Sequence, residues 1–343
     1  MLENGTVFEG ESLGAERDTV GALVFTTGVV GYTEALTDEA YFGQIVLFTF
    51  PTMGNYGVNE ADTDGNCALC GVVLRELCEK PSNFRMEKSL GDYLKNQNIP
   101  AIGGVDTREL TKILRENGSI NAKITHSLTT DTDDIKAYKI VNAAAGVTVK
   151  EKITVKAPNE KYKVGMLDLG GKRSMIKALT DRDCTVNVIP ASATAEEILS
   201  EGFDGLLLSS GPEEHSEVQI EKIKALFGKM PILAIGVGHQ LLALANGASV
   251  EKMPQGHRGT NQPAKDLSSG RTYITSQNHG YTVVNGSVKC GQIAFVNAND
   301  GSCEGVEYPE NKAFSVQFVP DTKSGSYGTA FVYDRFVALM EDK

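Results

Sequence analysis

Residues Pro231 to Ala248 read PILAIGVGHQLLALANGA, and this stretch decides the fold. Ile232 to Ile235 is a short, continuous apolar run, the pattern of a strand buried on both faces. Gly236-Val237-Gly238 makes a tight turn, and Leu241, Leu242, Leu244 and Ala245 beyond it keep helical spacing. A strand that feeds a helix through a sharp turn is the architecture of a nucleophile elbow. In such an elbow a Ser or Cys is held on a strained turn, where main-chain N–H groups and the helix dipole favour an anion. The Cys form of the pattern is G-x-C-x-G. Here the residues are Ala234-Ile235-Gly236-Val237-Gly238, so the turn is present and the nucleophile position is Gly236, which has no side chain.

Upstream of the elbow, strands and helices alternate from Lys163 onward. Val164 to Asp168, Thr185 to Ile189 and Gly205 to Ser209 read as buried strands. Ser174 to Leu179, Ala195 to Leu199 and Glu217 to Phe227 read as helices; Thr194 is an N-cap and Glu197 is placed to complete a capping box. Apolar strands alternating with helices imply a doubly wound, mostly parallel α/β sheet. Ligands of such sheets sit beyond the carboxyl ends of the strands. Three loops fall there: Gly170-Gly171-Lys172-Arg173, Ser209-Ser210-Gly211-Pro212 and the elbow.

Residues 1–150 read as a smaller α+β domain. Thr6 to Phe8, Gly21 to Thr27 and Gln44 to Phe50 are β-rich runs punctuated by Gly31, Pro51, Gly54 and Gly57. Leu90, Tyr93 and Leu94 form a helical stripe. A second helix opens at Asp106 or Thr107, turns Leu110, Ile113 and Leu114 inward and ends at Gly118. Residues 151–162 are charged, contain Pro158 and read as a linker to a domain at 163–343.

Bulk properties narrow the function. The 343 residues carry 33 basic and 44 acidic side chains, a net charge of −11, which argues against nucleic acid or an anionic membrane as partner. No apolar run is long enough to span a bilayer, and the N-terminus lacks the features of a signal peptide, so a cytoplasmic protein is expected. The 6 cysteines are scattered, as in a reducing compartment. Cys67 and Cys70 form a C-x-x-C without two further ligands at similar spacing, so neither zinc nor redox chemistry is expected there.

A family resemblance rests on motifs in both halves. In the first half they are TGVVGYTEALTD at 27–38, QIV at 44–46, PTMGN at 51–55, SNFR at 82–85 and VDTRELT at 105–111. In the second half they are DLGGKR at 168–173, LSSGP at 208–212, GHQLLALA at 238–245, SQNHG at 276–280 and AFSVQ at 313–317. The second half resembles a class I glutamine amidotransferase domain. The whole chain is similar to the small, glutamine-hydrolysing subunits of carbamoyl-phosphate synthetases. That resemblance implies acyl transfer: a Cys thiolate attacks the glutamine amide, a His carries the proton, a Glu orients the His, and ammonia passes to a large ATP-dependent subunit.

Carried over by position, the reactive groups are missing. The nucleophile position is Gly236, the base position Val319 and the orienting position Asp321. Of the residues the resemblance places around glutamine, Gly211, Gln240, Asn278 and Gly280 remain, with Tyr281 for a usual Phe. Ala40, Glu213 and Val237 stand at altered positions of the same site; Glu213 replaces a Gly. Losing a nucleophile and base that act as a unit removes on the order of 10⁶ in rate. No surviving group is an evident replacement. His239 and His279 read as structural, Cys184 as a free thiol at a helix-to-strand junction, and Lys172-Arg173 as a surface loop without phosphate-loop spacing. Glu213-Glu214-His215 reads as a solvated acidic loop rather than a metal cluster.

The expectation is therefore a small-subunit homologue unable to hydrolyse glutamine, acting as a structural or regulatory partner of a large synthetase subunit. No cofactor is expected in the chain itself, and ATP and Mg would enter only through that partner. An active glutamine-hydrolysing subunit with a relocated nucleophile, serving arginine or pyrimidine synthesis, is the first alternative. A module that binds glutamine or another amide without cleaving it is the second.

Overall fold

The computed structural model describes residues 1–127, 132–320 and 327–341. The chain divides into two compact units, one of Met1–Val141 with Pro254–Gly259, the other of Asn142–Met253 with Thr260–Lys343.

The first unit contains β1 (Glu11–Ser12), β2 (Thr19–Thr26), α1 (Tyr32–Leu36), β3 (Gln44–Phe48), β4 (Thr52–Met53), β5 (Gly71–Val73), β6 (Glu76–Leu77), α2 (Leu90–Asn96), β7 (Ala101–Gly103), α3 (Thr107–Asn117), β8 (Ile120–Ile124) and α4 (Asp133–Ala137). Its main sheet has the order β1-β7-β5-β3-β2-β8, and β4 pairs with β6 in a separate ribbon. The helix ends are set by the residues the sequence singles out. Asp106 accepts from the N–H groups of Arg108 and Glu109, and Gly118 closes α3 at φ 75°. Thr6 to Phe8, expected as a β-rich run, lies outside any strand; Leu2 makes an isolated bridge with Ala122, and the first strand begins at Glu11.

The second unit contains α5 (Ala143–Val147), β9 (Ile153–Val155), β10 (Tyr162–Asp168), α6 (Arg173–Thr180), β11 (Cys184–Pro190), α7 (Ala195–Ser200), β12 (Gly205–Leu208), α8 (Glu217–Leu226), β13 (Ile232–Ile235), α9 (Val237–Ala245), the two ends of β14 (Val250–Asp266, whose Pro254–Gly259 stretch belongs to the first unit), β15 (Thr272–Val283), β16 (Gln292–Asn297), β17 (Cys303–Tyr308), β18 (Ala313–Val316) and α10 (Phe331–Glu341). Strands β11, β10, β12, β13 and β18 lie side by side and all pair in parallel. Residues 151–162, expected as a linker, contain β9, which pairs antiparallel with β11 and closes that edge of the sheet. Beyond β18 the sheet continues antiparallel through β17 and β16.

Period-two alternation sends successive side chains to opposite faces, and both faces are covered. Leu206, Leu208, Ile232 and Ala234 pack with Ile223 and Leu226 of α8 and Leu241 of α9. Leu207, Leu233 and Ile235 pack on the other face with Met175 and Leu179 of α6 and Val332 and Phe336 of α10. The capping box at the start of α7 is complete, with the Thr194 hydroxyl on the Glu197 N–H and the Glu197 carboxylate on the Thr194 N–H. No helix of the described residues is long and apolar enough to cross a membrane.

Candidate functional site

The loops that follow β10, β12 and β13 carry the site, as expected for a parallel sheet. Gly236 has φ 60° and ψ −119°, a conformation L residues rarely adopt, so the elbow keeps a backbone geometry that would strain a side-chain-bearing residue and that glycine adopts freely. Its N–H donates to the Val316 carbonyl at 3.0 Å, and its carbonyl accepts from the Gln240 N–H at 3.3 Å. A Cβ at Gly236 would stand 3.0 Å from Cβ of Ser210. Two other glycines of the site are fixed by packing. A Cβ at Gly238 would meet the Leu208 carbonyl oxygen at 2.6 Å, and one at Gly211 the Leu169 carbonyl oxygen at 1.7 Å.

Val319, expected at the base position, is apolar in its contacts as well as its identity. Val319 is buried in the cluster that holds Ile235, Phe314 and Phe318, and its N–H donates to the Ser276 carbonyl at 3.0 Å. Asp321 lies outside the described residues. In the first unit, Ala40 is buried and donates its N–H to Asp38 Oδ1 at 3.0 Å.

The remaining groups meet around a carboxylate that belongs to the chain itself. Glu213 Oε1 accepts from Gln240 Nε2 at 2.8 Å and from the Tyr281 N–H at 2.9 Å, and Glu213 Oε2 accepts from the Gly280 N–H at 2.6 Å. Gln240 is fully buried and held from several sides: its Nε2 also faces the Tyr281 carbonyl and Gln317 Oε1, and its Oε1 lies 2.6 Å from His215 Nε2. The His215 ring meets the Tyr281 ring edge-on at 5.1 Å. His279 Nδ1 donates to the Tyr281 carbonyl at 2.8 Å, which fixes that peptide from the other side. Glu214 points the opposite way and accepts from the N–H groups of Asn142 and Ala144, both at 3.0 Å. The expected solvated acidic loop is thus corrected: both carboxylates are engaged by main-chain N–H donors, and the loop is half-buried.

Lys172 also departs from expectation. It is buried at the start of α6, and only Arg173 is exposed, so the pair is not a surface patch. Asn278 is half-buried on β15, next to His279. His239 lies in the first turn of α9, fully buried, with Nδ1 2.8 Å from Ser315 Oγ. Ser315 Oγ gives its hydrogen to the Val306 carbonyl, so His239 Nδ1 is the donor, and desolvation pulls the imidazole pKa down to about 3. A ring so placed stays neutral and takes no part in proton transfer at the surface.

Four of the thiols are poorly placed to act as a relocated nucleophile. Cys184 and Cys303 are completely buried, and desolvation pushes them up to about 11 and about 12. Burial also raises Cys67 and Cys70, whose sulfurs lie against the hydroxyls of Tyr93 and Tyr138. The sequence singled out Gln240, Gly280, Tyr281 and Glu213 separately. It did not bring His215 and Gln317 into the same network, and its one signal was an acidic residue where the family pattern has Gly.

The class of protein follows from this architecture. The second unit is a class I glutamine amidotransferase domain, and the family described as "Glutamine amidotransferase class-I" matches residues 166–339. The family described as "Carbamoyl-phosphate synthase small chain, CPSase domain" matches residues 1–124. The carbamoyl phosphate synthase small chain of Lactococcus lactis subsp. lactis is 42% identical over 353 residues, spanning 100% of this chain and 98% of that one. That of Listeria innocua is 40% identical over 351 residues, spanning 100% and 96%. Among solved structures, a glutamine amidotransferase of Thermotoga maritima aligns with 54% of this chain and 84% of its own at 18% identity, with a TM-score of 0.39. The chain belongs to the carbamoyl-phosphate synthase small chain family.

Proposed function

We propose that this chain is a small subunit that has lost glutamine hydrolysis and serves as a structural or regulatory partner of a large, ATP-dependent carbamoyl-phosphate synthetase subunit. The observation that carries this reading is the elbow. Gly236 keeps the sharp turn with no atom that can attack an amide, and Val319 is packed among apolar side chains where a base would have to reach substrate. Neither residue type can act as nucleophile or base, and a pair that acts as a unit contributes on the order of 10⁶ in rate. The full-length likeness to small chains supports the partner, and the second unit keeps its parallel sheet and its apolar cores. The large subunit would bring ATP and Mg and draw on free ammonia. Free cysteines throughout suit a cytoplasmic setting.

The test is carbamoyl-phosphate formation by this chain reconstituted with its large subunit, with glutamine or ammonium as nitrogen donor. Synthesis with ammonium alone is expected. Synthesis with glutamine, accompanied by glutamate release, would overturn the reading.

A further inference from the structure

We infer that Glu213 is a tethered ligand: its carboxylate fills the pocket beside the elbow and closes it to free carboxylates and amino acids. The inference rests on the reading of this pocket as a former glutamine site and says what has become of it.

The first support is the donor geometry. Along a regular strand, successive N–H groups point to opposite edges. The N–H groups of Gly280 and Tyr281 are consecutive, yet both reach one carboxylate, at 2.6 and 2.9 Å. The two donors therefore converge within β15 itself, one on each oxygen of the carboxylate, and anions favour such paired main-chain N–H groups. Gln240 Nε2 adds a third donor at 2.8 Å. Hydrogen bonds to an ionised acceptor are roughly twice as strong as neutral ones.

The second support is that the donors are held by groups other than Glu213. His279 grips the Tyr281 carbonyl, His215 meets the Gln240 amide oxygen, and the Gln240 amide hydrogen not directed at Glu213 is shared between the Tyr281 carbonyl and Gln317 Oε1. The cradle is built into β15, α9 and the chain after β18, and the carboxylate enters it from the loop after β12. With Glu213 removed, two N–H groups and an amide would still converge, one helical turn from the empty elbow. A small monocarboxylate or an α-amino acid is the ligand this chemistry takes.

The third support is the anchoring of the loop. Pro212 restricts the backbone on one side of Glu213, and Glu214 on the other is fastened to the N–H groups of Asn142 and Ala144. A group tethered even by a flexible linker competes at an effective concentration in the millimolar range, and a loop held on both sides competes better. A free carboxylate must displace it before it binds.

The experiment is calorimetric titration of the full chain and of Glu213→Gly with L-glutamine, L-glutamate and acetate. The wild type is expected to give no saturable heat up to about 10 mM, and the variant to bind at least one of the three about tenfold more tightly or better. Equal binding by both proteins, or no binding by a folded variant, would overturn the inference. A second measurement covers the case in which the glycine variant unfolds. In protein labelled with ¹⁵N at glycine and tyrosine, the Gly280 and Tyr281 amide resonances should move upfield in Glu213→Gln and stay fixed when glutamine is added to the wild type. Unmoved resonances in the variant, or a response of the wild type to glutamine, would sink the lock. Glutamate release, measured on the same samples, addresses the loss of hydrolysis separately: a wild type that binds glutamine without cleaving it refutes only the lock.

Discussion

Gly211 and Gly236 stand just beyond neighbouring parallel strands, β12 and β13, and lack a side chain for different reasons. At Gly211 a Cβ would lie 1.7 Å from a carbonyl oxygen of the adjacent loop, so the fold itself demands glycine. At Gly236 the nearest atom to a Cβ is the Ser210 side chain at 3.0 Å, so the position has nearly enough room and only the backbone objects. Gly238 is of the first kind, pressed against the Leu208 carbonyl. The contrast bears on how a family pattern is read. A glycine required by packing stays in place whether or not the pocket has work to do, so Gly211 says little about substrate. A glycine that packing does not demand is more informative, and Gly236 is one.

The largest expected effect breaks this contrast most directly. Gly211→Ala should cost at least about 3 kcal/mol, because two main-chain segments must part to admit the methyl group. Gly236→Ala should cost only ~1–3 kcal/mol, the strain of an L residue at φ 60° with a small give at Ser210. Urea unfolding of both variants measures the difference. Equal losses would mean that the elbow glycine is also a packing requirement and not a vacated nucleophile position.

How much of this was legible in the sequence differs between the two halves of the larger sheet. The parallel strands were, because Leu206 to Leu208 and Ile232 to Ile235 are short runs apolar throughout, the pattern of a strand covered on both faces, and each is bounded by Gly or Pro. The caps were too, since Thr194 with Glu197 and Asp106 with the N–H groups beyond it are local arrangements. The antiparallel extension was not. β14 runs through Pro254, Gly256 and Gly259 with much of its surface exposed, so it carries neither period nor apolar run. Within the site, the sharp turn at Gly236 could be read by position, but the destination of Glu213 could not. Its partners lie 67 and 68 residues away, and nothing local marks Gly280 and Tyr281 as convergent donors.

The elbow helix offers a smaller effect, and it sharpens the view of this region as packing. His239 sits in the first turn of α9 with its pKa pulled down to about 3, against about 6.5 in an unfolded chain. Between these values the unfolded state binds a proton that the folded state refuses, so stability falls as pH drops through that window and levels off above about pH 7.5. The slope is about 1.4 kcal/mol per pH unit, or roughly 2 kcal/mol by pH 5. His239→Gln should remove this component whatever its effect at neutral pH. Denaturation midpoints of both proteins between pH 5 and 8 provide the check, and parallel curves would mean that the ring is protonated in the fold and reachable by solvent.

The smallest effect concerns the serine pair that joins the two loops. Ser209 accepts from the Leu169 N–H at 2.9 Å and donates to the Ser210 carbonyl, so Ser209→Ala would strand a buried N–H and should cost about 1–3 kcal/mol. The Ser210 hydroxyl is also buried, beside the place where a Gly236 side chain would be, and has no hydrogen-bond partner among the described residues. Removing a buried polar group that bonds to nothing should leave stability within about 0.5 kcal/mol of wild type or raise it. A marked loss in Ser210→Ala would reveal a partner for that hydroxyl and make the elbow a polar site still in use. A neutral result would leave its two adjacent serines divided as the two glycines are, one demanded by the fold and the other left beside a reaction centre that no longer has its reactive group.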